Sequence, residues 1–470
     1  MAEDFDAIIL GAGQAGPSLA ARLTGAGLRT ALVERSRVGG SCVNFGCTPT
    51  KTLVASARAA HMARRAAALG VQGCGRVEVD MSAVKARKDR VVAESHDGLR
   101  DWLEHMKGLS LLHGHARFEG PGEIRVGDDL LRAERIFINT GARARIPDLP
   151  GIDSVPYLTS SGMMDIDALP PHLVVLGGGY VALEFAQMYR RFGSRVTLVE
   201  RAPRLASPED PDVSEALQAI LEDEGVEIRL ASEALGVERR DHWVAVRVRT
   251  PAGEETLQGS HLLLGVGRVP NSDDLGLESA GIETDSRGYI RVDDRLETGV
   301  PGVWALGDVN GRGAFTHTAY DDYEIVAANL LDGADRKVSE RIPAYALYTD
   351  PPLGRVGISE REARESGRAV LVGSLPMSGV ARARERDETS GLMKVLVDAD
   401  TRRILGAAVL GIGGDEVIHV LMALMYADAP YTLLKRTMMG IHPTVSELLP
   451  SLVDELRPLD PQGGKGDETG

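Results

Sequence analysis

Two stretches of sequence decide the fold: FDAIILGAGQAG at residues 5–16 and LVVLGGGYVALEF at residues 173–185. In each stretch, a short apolar segment typical of a buried strand leads into a glycine-rich turn and then into a sequence that favours a helix. A dinucleotide-binding motif requires this order of strand, turn and helix. The sequence therefore predicts two β-α-β units.

The second unit repeats the first without a gap. Gly11 aligns with Gly177, Gly13 with Gly179, Gly16 with Ala182, Gly27 with Gly193 and Glu34 with Glu200. A solenoid needs three or more copies at a shorter period, so two copies predict two nucleotide-binding units instead.

Each position of the glycine motif has a physical role. Gly11 permits the tight turn, Gly13 lets the backbone approach a pyrophosphate, and Gly16 allows the helix to pack closely on the strand. The helix that follows offers unpaired N–H groups and a partial positive charge to the phosphates. Glu34 and Glu200 come later in their units and can each accept hydrogen bonds from a ribose.

Two dinucleotide sites in one chain indicate one tightly held cofactor and one that exchanges, and FAD with a nicotinamide nucleotide fits that description. Glu200 favours NADH, because a carboxylate pairs with a ribose 2′-OH and repels a 2′-phosphate. Arg201 and Arg204 follow it. They are either solvated loop charges or groups that offset the carboxylate, so NADPH stays open as the alternative.

Composition excludes several functional classes. The formal net charge of −15 argues against a general nucleic-acid binder and against docking on anionic membranes. No apolar run approaches the ~18 residues of a membrane span, and the start MAEDFDAIILGAG lacks the basic segment of a signal peptide. Three cysteines form no disulfide scaffold, so a reducing cytoplasm is expected.

Two of the cysteines, Cys42 and Cys47, lie in GGSCVNFGCTPTK at residues 39–51. Their spacing matches neither a redox C-x-x-C pair nor a zinc site, and we expect no resident metal. Cys47 precedes a predicted helix, and a helix N-terminus lowers a thiol pKa. Two unreactive buried cysteines are the alternative interpretation.

From Arg341 onward no helix connects the predicted strands, which indicates an antiparallel α+β domain. We predict strands there at 353–358, 368–375, 391–398 and 404–411, and helices at 413–427, 431–437 and 444–455. Earlier in the chain, we predict helices at 50–69, 82–106 and 318–332, and strands at 109–118, 123–126, 134–139, 288–293 and 302–306.

The segments GAGQAG, GGSCVNFGC, GGGYVALEF, GVGRVPN, ALGD and HPTVSE follow one another in this chain. In these segments and their order, the chain resembles the pyridine nucleotide–disulfide oxidoreductases of the glutathione reductase, dihydrolipoamide dehydrogenase and mercuric reductase group, from residue 4 to about 456. The resemblance implies an α/β fold with two Rossmann-like domains, for FAD and NAD(P), and a C-terminal α+β domain that forms a homodimer. The implied division is an FAD domain at 1–150, an NAD(P) domain at 151–271, a second FAD part at 272–340, an interface domain at 341–456 and a disordered tail at 457–470.

The resemblance also implies roles for five side chains. The nicotinamide would pass hydride to flavin N5, and the flavin would reduce a Cys42–Cys47 disulfide. Cys47 would face the flavin as a thiolate, whereas Cys42 would attack the substrate. Lys51 would sit near flavin N5 and pair with Glu184, and Tyr180 matches an aromatic gate over the flavin. The alternatives are two unrelated surface charges and a core tyrosine.

A histidine and a carboxylate near the C-terminus, His442 and Glu447, are implied to form an acid dyad that serves the other subunit. Histidine is the natural proton donor to a leaving thiolate near neutral pH, and the carboxylate would orient it. The alternative is a helix cap, since Thr444 and Glu447 have the spacing of a capping box.

Further cofactor contacts follow from the same resemblance. Asp308 would hold the ribityl chain of FAD, and Thr316 and His317 would open a helix whose positive end faces the flavin; a cap without flavin contact is the alternative for His317. The other implied FAD residues are Gly40, Ser41, Ala116, Thr140 and Gly141. The other implied NAD(P) residues are Val181, Val237, Gly267 and Arg268.

Departures from the family pattern bear on the substrate. Thr48-Pro49-Thr50 replaces the usual residues after Cys47, and no cysteine follows Cys74, so a C-terminal thiol pair is absent. The segments TPTKT and HTAYDDYEI are most similar to the mercuric-reductase-like branch, which includes copper-reducing flavoproteins. We expect Cys74 to be a bystander.

The expected function is therefore an FAD-dependent, NAD(P)H-using enzyme that reduces a small disulfide or a thiol-bound metal ion. Dihydrolipoamide dehydrogenase and a flavin-bearing redox sensor without turnover are the alternatives. The basic residues Lys85, Arg87, Lys88 and Arg90 crowd one predicted helix, as a solvated face or as a patch for an acidic substrate.

Overall fold

The first glycine turn organises a five-stranded parallel sheet. The computed structural model describes residues 2–73, 75–436 and 438–460; Cys74 and the tail residues 461–470 lie outside this part. The strand order is Val303–Ala305, Arg135–Ile138, Ala7–Leu10, Thr30–Glu34 and Leu109–His113. All neighbours in this sheet run parallel.

The central strand of this sheet is buried on both faces, which explains its continuous apolar sequence. Ala7 and Ile9 pack toward the helices Ala15–Gly25 and Thr316–Leu331. Ile8 and Leu10 point the other way, because side chains alternate along a strand. They pack against a four-stranded mixed sheet of Ala2–Asp4, Asp129–Arg132, Glu123–Val126 and Ala116–Gly120.

The second unit has the same plan. Its parallel sheet has the order Glu227–Arg229, Arg195–Val199, His172–Leu176 and His261–Leu264. The helices Tyr180–Phe192 and Pro211–Asp223 cover one face. An antiparallel sheet of Glu233–Arg240, Trp243–Thr250 and Gly253–Gly259, which we did not predict, covers the other.

The C-terminal domain is built on a six-stranded antiparallel sheet. We predicted an antiparallel sheet because no helix connects the predicted strands after Arg341. Its order is Ala344–Leu347, Leu353–Gly357, Ile404–Leu410, Leu392–Asp398, Val370–Pro376 and Arg457–Pro458. The helix Gly414–Tyr426 packs across its strands. Together with the two parallel sheets, this confirms the predicted α/β fold class.

Other elements lie within and between these units. The remaining α-helices are Gly40–Asn44, Cys47–Arg65, Met81–Glu104, Ser160–Met163, Glu360–Glu365, Ala381–Glu385, Thr432–Arg436 and Leu449–Leu452. The 3-10 helices are Ala66–Leu69, Ile152–Ser154, Leu277–Ala280, Gly307–Asn310, Val338–Glu340, Met377–Gly379 and Ser446–Leu448. The strands Ala142–Ala144 and Arg268–Pro270 pair with each other.

Three predicted elements differ from the structure. The segment predicted as a strand at 109–118 is two strands, Leu109–His113 and Ala116–Gly120, which belong to different sheets. The segment 288–293 is not a strand: the carboxylate of Asp285 accepts the N–H groups of Arg287 and Tyr289 and closes a turn there. The predicted helix at 444–455 is broken into Ser446–Leu448 and Leu449–Leu452. Pro450 lies at the start of the second piece, where a missing N–H is tolerated, whereas inside one long helix it removes a hydrogen bond.

The predicted disordered tail begins with structure, since Arg457 and Pro458 pair with the strand Val370–Pro376. Within the described ranges, no helix combines the length and the apolar character that a membrane crossing requires.

Candidate active site

The two cysteines lie where one short helix gives way to a long one. Cys42 is in the helix Gly40–Asn44, and Cys47 is the first residue of the helix Cys47–Arg65. A Cβ on Gly46 would come within 2.9 Å of the Ser41 carbonyl oxygen. The absence of a side chain there therefore lets the second helix start close to the first, which brings both thiols together.

The surroundings of the two thiols shift their pKa values in opposite directions. A hydrogen bond from Cys42 is the main cause that lowers the pKa of Cys47 to about 6, helped by the Thr316 hydroxyl and by the charge of Lys51. The pKa of Cys42 is raised, because its thiol donates to Cys47 and because it is buried. The Thr316 Oγ1 atom lies 3.1 Å from the Cys47 Sγ atom. At neutral pH this geometry favours a thiolate at Cys47 and a thiol at Cys42.

The buried carboxylate of Glu184 contacts the helix Cys47–Arg65 one turn after Cys47. The Lys51 Nζ atom donates to both Glu184 oxygens, at 2.8 and 2.7 Å. The backbone N–H of Tyr348 donates to the same carboxylate at 2.9 Å, and the Tyr348 ring lies 4.5 Å from Lys51 Nζ. These contacts join all three structural units beside Cys47. Sequence reasoning missed Tyr348, and no local pattern marks it.

The C-terminal dyad forms within one chain. The His442 Nδ1 atom lies 3.1 and 3.0 Å from the two Glu447 carboxylate oxygens. The His442 side chain is 72% exposed, whereas that of Glu447 is 13% exposed. Thr444 Oγ1 also accepts the Glu447 N–H at 3.2 Å, so the cap contact and the dyad contact coexist. The buried acid orients one edge of the imidazole, and its other edge faces outward.

The two glycine turns are geometrically equivalent. Gly11 has φ of +104° and Gly177 has φ of +109°, and a Cβ on either would lie 2.4 Å from a carbonyl oxygen of the neighbouring strand end. Only glycine adopts this turn without strain. A Cβ on Gly40 would lie 2.8 Å from the Gly13 Cα atom, so the cysteine segment packs directly on the first turn.

The acidic residues of both units fasten their own glycine turns. Glu34 accepts the N–H groups of Ala12 at 2.9 Å and Ser36 at 2.8 Å. Glu200 accepts the N–H groups of Gly178 and Ala202 in the same way. Each carboxylate is thereby held in a fixed orientation at the strand end, where a ribose hydroxyl can reach it.

A cavity of about 210 Å³ joins residues predicted for different cofactors. Asp308, predicted for FAD, lies 3.7 Å from the Arg268 Nε atom, which we predicted for NAD(P). Both line the cavity, together with Tyr289 and Arg312. Burial raises the pKa of Asp308, and the arginine opposes this effect.

The other predicted site residues have simpler surroundings. The Thr140 hydroxyl donates to the Asn271 carbonyl at 2.7 Å, and the His317 ring lies 2.6 Å from the Ala344 carbonyl oxygen. Ser41 and Val181 are exposed, whereas Ala116 and Val237 are buried.

The predicted glycines differ in how much space surrounds them. Gly141 and Gly267 have positive φ, of +69° and +108°, and a Cβ on Gly16 would lie 2.4 Å from the Gly11 carbonyl oxygen. A Cβ on Gly179 would point into open space.

The basic helix Met81–Glu104 is less solvated than predicted. Lys85 and Lys88 both pair with Asp89, and Arg87 donates to the Thr52 carbonyl oxygen at 2.8 Å. Lys88 is only 4% exposed, so the prediction of a solvated face is wrong for this residue. It packs inward because the helix lies on Cys47–Arg65.

Comparison with known proteins identifies the family. Residues 5–322 match the family described as pyridine nucleotide-disulphide oxidoreductase, and residues 343–453 match its dimerisation domain. The chain belongs to the pyridine nucleotide-disulphide oxidoreductases. The family is FAD-dependent and uses NAD(P)H, and its dimerisation domain points to a homodimer.

Relatives in this family share nearly the whole chain. The probable pyridine nucleotide-disulfide oxidoreductase RclA of Escherichia coli is 37% identical over 95% of this chain and 98% of its own. The mercuric reductase of Streptomyces lividans is 36% identical over 88% of each chain. The solved structure described as the Cu(II) complex of HOCl-induced flavoprotein disulfide reductase RclA from Escherichia coli has a TM-score of 0.87 at 36% identity, and the match covers 96% of this chain and 99% of that one.

The residues present fit the two cofactors that the family uses. The helices Ala15–Gly25 and Tyr180–Phe192 both begin in a glycine turn without a side-chain cap. Their first N–H groups are therefore available to a pyrophosphate, which helix N-termini bind well. Asn139, which we did not predict, directly follows the strand Arg135–Ile138 and donates to the Gly11 carbonyl at 3.0 Å. Its position at the carboxyl edge of a parallel sheet was the available signal.

Proposed function

We propose that this protein is an NADH-dependent, FAD-containing reductase whose electrons leave through Cys42 and Cys47 to a small disulfide or a thiol-bound metal ion. The supporting observation is the geometry at the thiol pair: Cys42 donates to Cys47, whose Sγ atom lies 3.1 Å from Thr316 Oγ1. These contacts and the charge of Lys51 lower the pKa of Cys47, the thiol proposed to face the flavin. Bound FAD supplies a two-electron relay between a hydride donor and a disulfide.

The residues around the pair have distinct proposed roles. Glu34 and Glu200 orient the riboses of FAD and NADH, and Lys51 and Glu184 keep a fixed positive charge beside Cys47. Once the pair is reduced, Cys42 loses its proton and attacks the acceptor, and Cys47 then attacks Cys42 to restore the disulfide.

Proton delivery is assigned to the partner subunit's dyad. His442 is the acid for the departing thiolate, and Glu447 stabilises the imidazolium cation. The exposed outer edge of His442 is available to a second copy of the chain, as the dimerisation domain suggests. For a disulfide acceptor the balance is NADH + H⁺ + RSSR → NAD⁺ + 2 RSH.

A metal acceptor is the second branch of the proposal, and the relative solved as a Cu(II) complex supports including it. For Cu(II) the balance is NADH + 2 Cu(II) → NAD⁺ + 2 Cu(I) + H⁺. Since the sequence has no cysteine after Cys74, we propose that the metal meets Cys42 and Cys47 directly or arrives bound to external thiols. Free thiols persist in a reducing compartment, so we propose the cytoplasm as the location.

An acceptor panel tests this function. Purified protein is supplied with NADH and, separately, with oxidised glutathione, other small disulfides, lipoamide, Hg(II), Cu(II) and quinones, and NADH oxidation is followed by absorbance. We expect turnover with a disulfide or a metal ion, and its loss in Cys42→Ser. Lipoamide as the preferred partner would assign the protein as a dihydrolipoamide dehydrogenase. A flavin that NADH reduces without turnover on any acceptor would favour a redox sensor.

A further inference from the structure

Tyr180, the first residue of the helix Tyr180–Phe192, is tied to a buried carboxylate that the proposed function leaves without a role. The Tyr180 hydroxyl donates to Glu209 Oε1 at 2.7 Å. The Tyr345 hydroxyl donates to the same oxygen at 2.6 Å. The Glu209 side chain is fully buried, and its second oxygen has no hydrogen-bond partner within the described residues.

The hydroxyls of Tyr180 and Tyr345 stay protonated and therefore always act as hydrogen-bond donors to Glu209. Burial, reinforced by the charge of Glu209, raises the pKa of Tyr180 and of Tyr345 well above the usual tyrosine range. Both hydroxyls therefore keep their protons at any physiological pH. The Arg355 Nη1 atom lies 3.8 Å from the unpartnered oxygen and donates to Asp210 instead. Glu209 thus depends on the two tyrosines for its hydrogen bonds.

The rings around this carboxylate come from three separate units. The Tyr180 and Tyr345 ring centroids lie 5.4 Å apart, and Tyr345 stacks on Phe315 at 5.2 Å with nearly parallel planes. Phe315 directly precedes the helix that begins at Thr316, whose hydroxyl contacts Cys47. The Phe315 ring therefore supports Tyr345, whereas Tyr180 is the last ring of the stack.

We propose that Glu209 and Tyr345 form a lock that holds the ring of Tyr180 closed, and that nicotinamide binding requires release of Tyr180 from Glu209. This inference rests on the proposed function and on the role of an aromatic gate over the flavin that the family resemblance implies for Tyr180. When Tyr180 leaves, Tyr345 still donates to Glu209, so the buried carboxylate keeps one partner. Glu209 and Tyr345 act here as positioning residues, and neither needs to touch the cofactor.

The lock predicts opposite effects of removing its two sides. Glu209→Gln replaces the charged acceptor by a neutral one, so opening becomes easier and the Kd for NAD⁺ falls by about 10-fold, since a charged acceptor strengthens a hydrogen bond by roughly that factor. Tyr345→Phe removes the donor that remains after opening, so Tyr180 is held more tightly and the Kd rises. A residue needed only for structural integrity would not produce changes of opposite sign.

A calorimetric titration of the oxidised, flavin-containing protein with NAD⁺ measures these constants directly. Glu209→Gln is repeated in a Tyr180→Phe background. There it should leave Kd unchanged, because Tyr180→Phe has already removed the hydroxyl that Glu209 binds. Tyr189→Phe is the matched control, because this buried tyrosine of the same helix donates to the Met163 carbonyl oxygen and not to Glu209. Circular dichroism of each variant checks that the fold is intact.

The outcomes separate the lock from the proposed function. If the wild type binds neither NAD⁺ nor NADP⁺, the proposed function fails and the lock with it. If the wild type binds but Glu209→Gln leaves Kd unchanged or raises it, the lock alone is overturned. An effect of Glu209→Gln that persists in the Tyr180→Phe background also overturns it. If Glu209→Gln does not fold, Tyr345→Phe decides, and a Kd equal to or below that of the wild type rejects the lock.

Discussion

The Lys51 ammonium group lies 2.7 Å from the Glu184 carboxylate and ties the helix that carries Cys47 to the helix that begins at Tyr180. The side chain of Glu184 is 7% exposed and that of Lys51 is 33% exposed. Removing Lys51 therefore leaves a buried negative charge whose remaining hydrogen-bond donor, among the residues that the structure describes, is the Tyr348 N–H. One contact thus links the stability of the domain arrangement to the electrostatics of the thiol pair.

This ion pair predicts a stability effect. Lys51→Gln should lower the free energy of unfolding by about 1–3 kcal/mol, because breaking a largely buried pair strands its partner charge. Arg195→Gln is the control, since its pair with Glu227 is exposed and should change stability by less than about 1 kcal/mol. Denaturant unfolding at one protein concentration measures both. Equal effects would show that Glu184 does not depend on Lys51.

The cysteine assignment predicts a spectroscopic difference between two variants. The wild type should gain long-wavelength absorbance when NADH reduces it, because a thiolate then faces the flavin. Cys42→Ser should show this absorbance without reductant, since Cys47 cannot be oxidised in an intramolecular disulfide. Cys47→Ser should never show it. A normal inducible band in both variants would remove Cys42 and Cys47 from the electron path.

The lowered pKa of Cys47 predicts the pH dependence of that band. Because a thiolate exists only above its pKa, and because the hydroxyl introduced in Cys42→Ser can donate to Cys47 as the thiol does, the absorbance of Cys42→Ser should be present at neutral pH and lost as pH falls toward acid. Adding Thr316→Val removes a hydroxyl that lowers the pKa of Cys47 and should move the titration upward by about one unit. Thr24→Val removes a helix hydroxyl that donates only to backbone carbonyls and should move nothing. An unchanged midpoint in the Thr316 variant would show that its hydroxyl leaves Cys47 unaffected.

Glu200 predicts the choice of nicotinamide nucleotide. NADH should have the higher kcat/KM, because the fixed carboxylate accepts a 2′-OH and repels a 2′-phosphate. Glu200→Gln keeps the size of the side chain and should reduce the preference, and Glu200→Arg should reduce it further. Steady-state kinetics with both nucleotides provide the measurement. A wild type that prefers NADPH would show that Arg201 and Arg204 outweigh the carboxylate.

The exposed dyad predicts catalysis across a dimer interface. His442→Ala should keep fast flavin reduction by NADH and lose turnover by about 10²–10⁴-fold, since only the proton donor is missing. His105→Ala, which removes a histidine bonded to the Asp101 carbonyl, is the control. Mixing Cys42→Ser and His442→Ala homodimers under subunit exchange should restore activity, because each heterodimer has one complete site. Heterodimers without activity, or an active monomer in sedimentation, would contradict action in trans.

Local sequence was sufficient for the elements that carry their own signals. The apolar runs before Gly11 and Gly177 predicted buried strands, and the glycines predicted the positive-φ turns that follow them. The missing crossover helices after Arg341 predicted the antiparallel sheet. Patterns failed where side-chain bonds competed with them, as at Asp285, whose carboxylate closes a turn in place of the predicted strand.

The sequence by itself determined two β-α-β units, the place of the cysteine pair and the carboxylate that ends each unit, because strand, turn and helix propensities act over a few neighbouring residues. Only the tertiary structure decided which distant groups meet. Thr316 contacts Cys47 across 269 positions of the chain, and Tyr345 shares Glu209 with Tyr180 from another domain. The physical reason is that such contacts depend on how whole sheets and helices pack, and no local periodicity encodes that packing.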